Sequence, residues 1–199
     1  MPPRVKSVAS ISIREFYERH SDALSIELLG TAVGFDRPIS EPAINRPGLA
    51  LAGFFSYFAS KRIQVFGNSE LSYLRKLPEP MRIDRFRRLC DRDIPCIVVA
   101  RGLSLEPALI ELANEHNVPV FSTTLVTMHF LNSATIRLEN DFAPSVTLHG
   151  CMVDMRGVGI LILGAPVCTA LPETGSVPAS SCARSGASFD CGSQAKVTR

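Results

Sequence analysis

CIVVARGLSLEPALIELANEHNVPVF, residues 96–121, reads as a strand, a turn, a helix and a second strand. Cys96 to Ala100 is a short continuous apolar run, the pattern of a strand covered on both faces. Arg101-Gly102 supplies the turn, and Glu106 to His116 carries its apolar residues at helical spacing. Val118 to Phe121 then returns to strand character. A strand, helix and strand joined by connections this short predict a parallel pair with a right-handed crossover.

The same alternation extends in both directions. Downstream, Ser122-Thr123-Thr124 leads to a helix over Val126 to Glu139. Upstream, Ile63 to Phe66 reads as a buried strand closed by Gly67, with helices at Glu70 to Leu77 and Pro80 to Cys90. Asn68-Ser69-Glu70 offers the N-cap for the first of these. Earlier still, Pro47-Gly48 opens a dense apolar segment at helical spacing, Leu49, Leu51, Ala52, Phe54, Phe55 and Phe58. Its aromatic stripe, with Tyr57, predicts core packing of a helix against a sheet rather than a ligand surface. At the N-terminus a short strand precedes a helix starting near Ser12 with Ile13, Phe16 and Tyr17 on one face, and Leu24, Ile26 and Leu28 alternate as a strand. Residues 1–140 therefore predict an α/β layer architecture, with Asp141-Phe142-Ala143-Pro144 as a linker.

Composition narrows the function classes. A chain of 199 residues that is 46% hydrophobic and 20% charged can bury an ordinary core. A net charge of +2 gives no argument for nucleic acid, and the densest basic cluster, Arg82, Arg85, Arg87 and Arg88, reads as a solvated helix face. No apolar run approaches the ~18 to 20 residues of a membrane span, and MPPRVKSVAS lacks a signal-peptide core, so the reading is a cytoplasmic protein with no membrane partner. Cys90, Cys96 and Cys151 lie in or beside apolar runs, and Cys168, Cys182 and Cys191 show no C-x-x-C spacing, which predicts neither a metal site nor a disulfide framework. His20 and His116 fall at helix ends and His129 on an amphipathic helix, all structural positions. In Asn45-Arg46-Pro47-Gly48 the arginine beside a rigid turn could hold a carboxylate or phosphate, or could pin the loop.

A second organising stretch is SVTLHGCMVDMRGVGILILG, residues 145–164, read as two strands turning at Arg156-Gly157. An apolar strand ending on Gly is how a phosphate-binding loop begins. The loop should continue G-x-x-x-x-G-K-[ST], but Thr169 stands where the second Gly belongs, Ala170 where the Lys belongs and Leu171 where the hydroxyl belongs. Residues 165–199 are rich in Ala, Ser, Gly, Pro, Cys and Thr without periodicity and predict a disordered tail.

PAINRPGLALAGFFSYFASKRIQVFGNSE, IPCIVVARGL, NVPVFSTTL and LHGCMVDMRGVGILILG, in that order, resemble the bacterial HPr kinase/phosphorylase family from about residue 10 to Gly164. The resemblance implies an N-terminal α/β domain similar to the first domain of Mur ligases over 1–140, the first β-hairpin of a P-loop kinase domain over 141–164, and a non-homologous tail over 165–199. It implies ATP and Mg²⁺ as cofactors, a serine of the phosphocarrier HPr of the sugar phosphotransferase system as substrate, its phosphorylation and phosphorolytic dephosphorylation as activity, control of carbon metabolism as role, and a homohexamer. His149 matches the active-site histidine of the family's HG-x-x-VD stretch, although on its own it reads as a strand histidine satisfied by backbone. Gly164 matches the first Gly of the family's P-loop, and beyond it the agreement stops at one residue, as a shifted reading frame would make it do. Without the loop's Lys and Ser the chain is expected to bind no ATP or Mg²⁺ and to be catalytically dead. The alternative is a non-catalytic regulatory or interaction module that senses a small metabolite near Arg46 or Arg101.

Overall fold

The computed structural model describes residues 8–148, 150–155, 158–163, 189–190 and 195–198. The chain divides into two compact units, the first being Val8–Ala143 and the second containing Pro144 onward.

In the first unit a two-residue strand β1 (Ile11–Ser12) runs into helix α1 (Ile13–Leu24). Ser12 starts that helix because its hydroxyl accepts the Glu15 N–H at 3.2 Å while the Glu15 carboxylate takes the Ser12 N–H at 3.3 Å. Strand β2 (Ile26–Leu29) follows, then β3 (Pro38–Ile39), β4 (Ile44–Asn45) and a single helical turn α2 (Gly48–Leu51). The remainder alternates strand and helix: β5 (Ile63–Phe66), α3 (Asn68–Lys76), α4 (Glu79–Cys90), β6 (Ile97–Val99), α5 (Pro107–Glu115), β7 (Val120–Thr123) and α6 (Thr127–Phe142).

The main sheet has the order β2-β7-β6-β5-β4, with β4 to β7 mutually parallel and β2 antiparallel at the edge. Because side chains alternate across a strand, β5 and β6 feed two cores. Phe66, Ile97 and Val99 join α3, α4 and α5 through Leu71, Leu74, Phe86, Leu89, Leu109 and Leu112. Ile63, Val65, Cys96 and Val98 join α1 and α6 through Ile13, Phe16, Phe130, Ala134 and Leu138. The α/β expectation therefore holds as three layers, helix on sheet on helix.

Four expectations change in detail. The apolar segment after Pro47 is not a long helix: it stops after one turn, at Gly53 with φ +103°, where a Cβ would overlap the Arg85 guanidinium. Its aromatic stripe is consequently split, with Phe55 and Phe58 packed on the core but Phe54 53% and Tyr57 92% exposed. Leu24 is the last helical residue rather than the first of a strand, and Ser25 at φ 48° makes the reversal. Arg82 is not a solvated residue of the α4 face, since it pairs with Glu106 at 3.0 Å and is only 16% exposed. Finally, His20 lies inside α1 and faces Asp141 at 2.7 Å, with Arg19 also 3.4 Å from that carboxylate, so α6 runs through residues read as linker. Phe142 packs on the α1 and α6 side of the core. His116 does sit at the end of α5, 3.1 Å from Asp91, and His129 is exposed on α6.

The amino ends of the parallel strands are held by Arg37. Its guanidinium donates to the carbonyls of Ile94 at 2.9 Å and of His116 and Asn117 at 3.3 and 3.4 Å, so one side chain ties the entries of β6 and β7. Gly34 is required nearby, because at φ +67° its Cβ would overlap the Asn117 carbonyl oxygen. Cys90 and Cys96 are buried free thiols beside this corner. Burial pushes Cys90 up to about 12, with the Asp91 charge adding and Arg37 opposing, and pushes Cys96 higher still for the same first reason.

In the second unit, β8 (Ser145–Leu148) pairs antiparallel with β12 (Ala195–Thr198). Strand β9 (Gly150–Met155) pairs antiparallel with both β10 (Val158–Leu163) and β11 (Phe189–Asp190). The hairpin read around Arg156-Gly157 is present as β9 and β10, while the preceding strand is divided in two. Most of the tail lies outside the described residues, and its described parts are the short strands β11 and β12.

Two outcomes follow for the first unit. Arg37→Ala leaves three carbonyls without their charged donor and is expected to cost about 2–4 kcal/mol in urea unfolding, with Arg37→Lys recovering less than half because an ammonium cannot span them. Peptide-resolved alkylation at pH 8 is expected to leave Cys90 and Cys96 unmodified until denaturant is added, since neither forms thiolate at that pH while buried.

Candidate functional site

In a parallel sheet the loops at the carboxyl ends of the strands are free to carry ligand-binding groups. Here those loops are Asn45 to Gly48 after β4, Gly67 after β5, Arg101-Gly102 after β6 and Thr124 to Val126 after β7. The helices α2 to α5 that join the parallel strands lie on one face, so the sheet never reverses its winding and opens no crevice of the dinucleotide-binding kind. Function along this edge must come from the loops themselves.

Two of them are tied by a buried carboxylate. Glu70, on the first turn of α3 and 4% exposed, accepts the Gly67 N–H at 2.9 Å. The terminal nitrogen of Arg46 lies 3.0 Å from both Glu70 oxygens. The carboxylate thus sits at the positive end of α3 and is neutralised from across the loop. Of the two readings of Arg46, the structure shows the loop pinned, although the side chain remains 41% exposed. Beside it, the fully buried Gln64 accepts from Asn45 at 2.8 Å and donates to the carbonyls of Ala59 and Arg62 at 2.9 and 2.7 Å. Each polar atom of that amide is therefore paired, which permits its burial.

These tethers hold a shallow groove enclosing about 130 Å³, lined by Asn45, Arg46, Pro47, Leu49, Phe54 and Tyr57 among others. Leu49 is 71% exposed, so the groove presents an aromatic and aliphatic wall beside one paired arginine. Arg101 stands two strands away, exposed, with φ +67°. Its backbone N–H donates to Leu125 at 2.9 Å and that of Gly102 to Thr123 at 2.7 Å, which locks this turn onto the loop preceding α6. Thr123 in turn donates its hydroxyl to the Leu24 carbonyl at 2.7 Å.

His149, Gly164, Thr169, Ala170 and Leu171 lie outside the described residues. Among the described residues no cluster of three His, Cys, Asp or Glu side chains could hold a metal ion, and no helix is long and apolar enough to cross a membrane. Glu70 stands three positions after Gly67 at a strand-to-helix junction, which is the sequence mark of a helix-capping carboxylate.

The family model described as "HPr Serine kinase N terminus" matches residues 11–138. An HPr kinase/phosphorylase of Bacillus licheniformis is 38% identical over 143 residues, which is 72% of this chain and 46% of that protein. The chain thus spans about half the length of the curated relative it matches. Among solved structures, the CBS and DRTGG domains of the regulatory region of a Clostridium perfringens pyrophosphatase, complexed with the activator diadenosine tetraphosphate, align with a TM-score of 0.42 and 16% identity, over 61% of this chain and 46% of that one.

Replacing Glu70 by Ala strands the Gly67 N–H and frees Arg46, and is expected to cost about 2–3 kcal/mol in chemical denaturation, the exposure of Arg46 holding the loss below that of a fully buried pair. Glu70→Gln keeps an acceptor for Gly67 and is expected to cost less than half as much.

Proposed function

The chain belongs to the HPr serine kinase N-terminal family, and on that premise we propose that it descends from an HPr kinase/phosphorylase, with Val8–Ala143 as the N-terminal α/β domain of such an enzyme. The observation that carries the reading is the 38% identity over 143 residues, a span too long and continuous for a shared motif alone. In this reading residues 141–164 begin the kinase domain, His149 is its active-site histidine and Gly164 the first residue of its phosphate loop. The parent activity is transfer of a phosphoryl group from ATP with Mg²⁺ to a serine of HPr, and phosphorolytic reversal of that transfer, in a cytoplasmic homohexamer controlling carbon use.

This chain itself is proposed to be inactive in that reaction. In-line phosphoryl transfer depends on positioning and charge neutralisation by the loop backbone, its lysine and the hydroxyl that holds Mg²⁺. Thr169, Ala170 and Leu171 stand where the second glycine, that lysine and that hydroxyl belong. What remains is a regulatory or interaction module. The feature favouring that role is the row of loops at the carboxyl edge, where the Arg46 side chain is paired with Glu70 and the Arg101 backbone is bonded to the loop before α6.

Titration of the chain with Mg·ATP in a calorimeter is expected to give no heat beyond dilution. Saturable binding in the micromolar range would overturn the inactive reading and leave the lineage standing.

A further inference from the structure

GLALAGFFSYFAS, residues 48–60, carries no charged side chain, yet the fold leaves Leu49, Phe54 and Tyr57 exposed. Fixed backbone imposes that exposure. The Gly53 N–H donates to the Ala50 carbonyl at 2.9 Å and the Phe54 N–H to that of Leu49 at 3.0 Å, which closes the α2 turn. Beyond it the Phe58 N–H donates to the Phe55 carbonyl at 3.2 Å, and these two rings meet edge to face at 5.8 Å while packed on the core. With Phe55 and Phe58 anchoring the segment, Phe54 and Tyr57 are held outward.

Leu49, Phe54 and Tyr57 wall the groove of about 130 Å³ that Asn45, Arg46 and Pro47 complete. A cavity of about 150 Å³ takes up a benzene molecule, so the groove has room for one ring or one branched aliphatic side chain. The three exposed side chains bare roughly 400 Å² together, at about 200 Å² for each when fully exposed. One side of a standard protein–protein interface covers about 800 Å². The patch is therefore too small to be the contact of a stable dimer, and it suits a short segment that inserts a single anchor. A lipid surface is met by a projecting apolar face, whereas here the apolar groups enclose a concavity.

Charge narrows the occupant further. Arg46 lines the groove, the Arg85 guanidinium lies against Gly53, and the Arg92 guanidinium stands 4.8 Å from the centre of the Phe55 ring. The Arg46 charge is matched by the buried Glu70. Arg85 and Arg92 have no such partner among the described residues. The carboxylates beside them in sequence, Asp84, Asp91 and Asp93, are engaged by Arg88 at 3.0 Å, His116 at 3.1 Å and Arg37 at 3.5 Å. An apolar segment bordered by two unmatched cations is complementary to an acidic partner.

We infer that the groove at Leu49, Phe54 and Tyr57 is a docking site for an acidic segment of another protein, which inserts one aromatic or leucine side chain flanked by carboxylates. The inference rests on the reading of the chain as an interaction module and gives that module its surface.

The test is fluorescence anisotropy of the full chain with short, capped, end-labelled peptides of aspartate and glutamate around one central residue. The phenylalanine-centred peptide is expected to bind saturably in the micromolar range, and the alanine-centred one about tenfold more weakly. A phenylalanine-centred peptide built on lysine is expected not to bind. Tyr57→Ser and Leu49→Ser, at exposed positions that leave the core intact, are each expected to weaken binding about tenfold with the urea midpoint unchanged. Arg92→Gln is expected to flatten its salt dependence. Absence of saturable binding, equal binding of the acidic and lysine peptides, or binding that survives both serine variants would overturn the assignment. A sedimenting dimer that Tyr57→Ser dissociates would overturn it in favour of a second copy of the chain. Phosphatidylserine vesicles that pellet the unaltered chain but not Tyr57→Ser would overturn it in favour of a lipid surface. Saturable Mg·ATP binding strikes the module reading whatever the peptides do, so the two fail separately.

Discussion

The pairing of β5 with β6 sets the terms for the rest of the first unit. All four residues of β5 and all three of β6 have no exposed surface, so both faces of this two-strand centre must be covered by other parts of the chain. That requirement places α3, α4 and α5 on one side and α1 and α6 on the other. It also obliges Gln64, the one polar residue of the pair, to find every partner inside the protein, which it does at Asn45, Ala59 and Arg62. A buried amide with three fixed partners then dictates where the loops at that end of the sheet run.

The two ends of the sheet are managed by different chemistry. At the amino ends Arg37 gathers carbonyls that would otherwise be stranded at the entries of β6 and β7. Along the carboxyl edge the groups being gathered are N–H donors and cations: Glu70 takes up Gly67 and Arg46, while the α6 terminus and Arg101 have no such partner among the described residues. One end therefore gathers carbonyls and the other gathers donors around a carboxylate. The parallel direction of the strands produces this difference, since each crossover helix must begin on the carboxyl side and brings unpaired N–H groups with it.

Much of the architecture was legible in the residues because it rests on local periodicity. The continuous apolar runs at Ile63 and Cys96 marked strands covered on both faces, and the spacing of Leu109, Leu112 and Ala113 marked a helix between the Cys96 strand and the one at Val118. Reading failed where a single residue overrode its neighbours. Gly53 stops a helix whose apolar spacing would have continued to Phe58, and the price is that Phe54 and Tyr57 face solvent. Asp141 looked like part of a linker because its value comes from Arg19 and His20, more than a hundred residues earlier in the chain.

By itself, then, the sequence determined the alternation of strands and helices, the lineage to which the chain belongs, and the presence of Thr169, Ala170 and Leu171 five to seven positions after Gly164, since each is a property of residue order alone. Only the tertiary structure decided that Arg46 is paired with Glu70 and that the Thr127 hydroxyl lies against Gly67. Such facts depend on which helix starts are brought together over the end of β6. That is fixed by sheet order and packing across the whole domain, and no local pattern of residues encodes it.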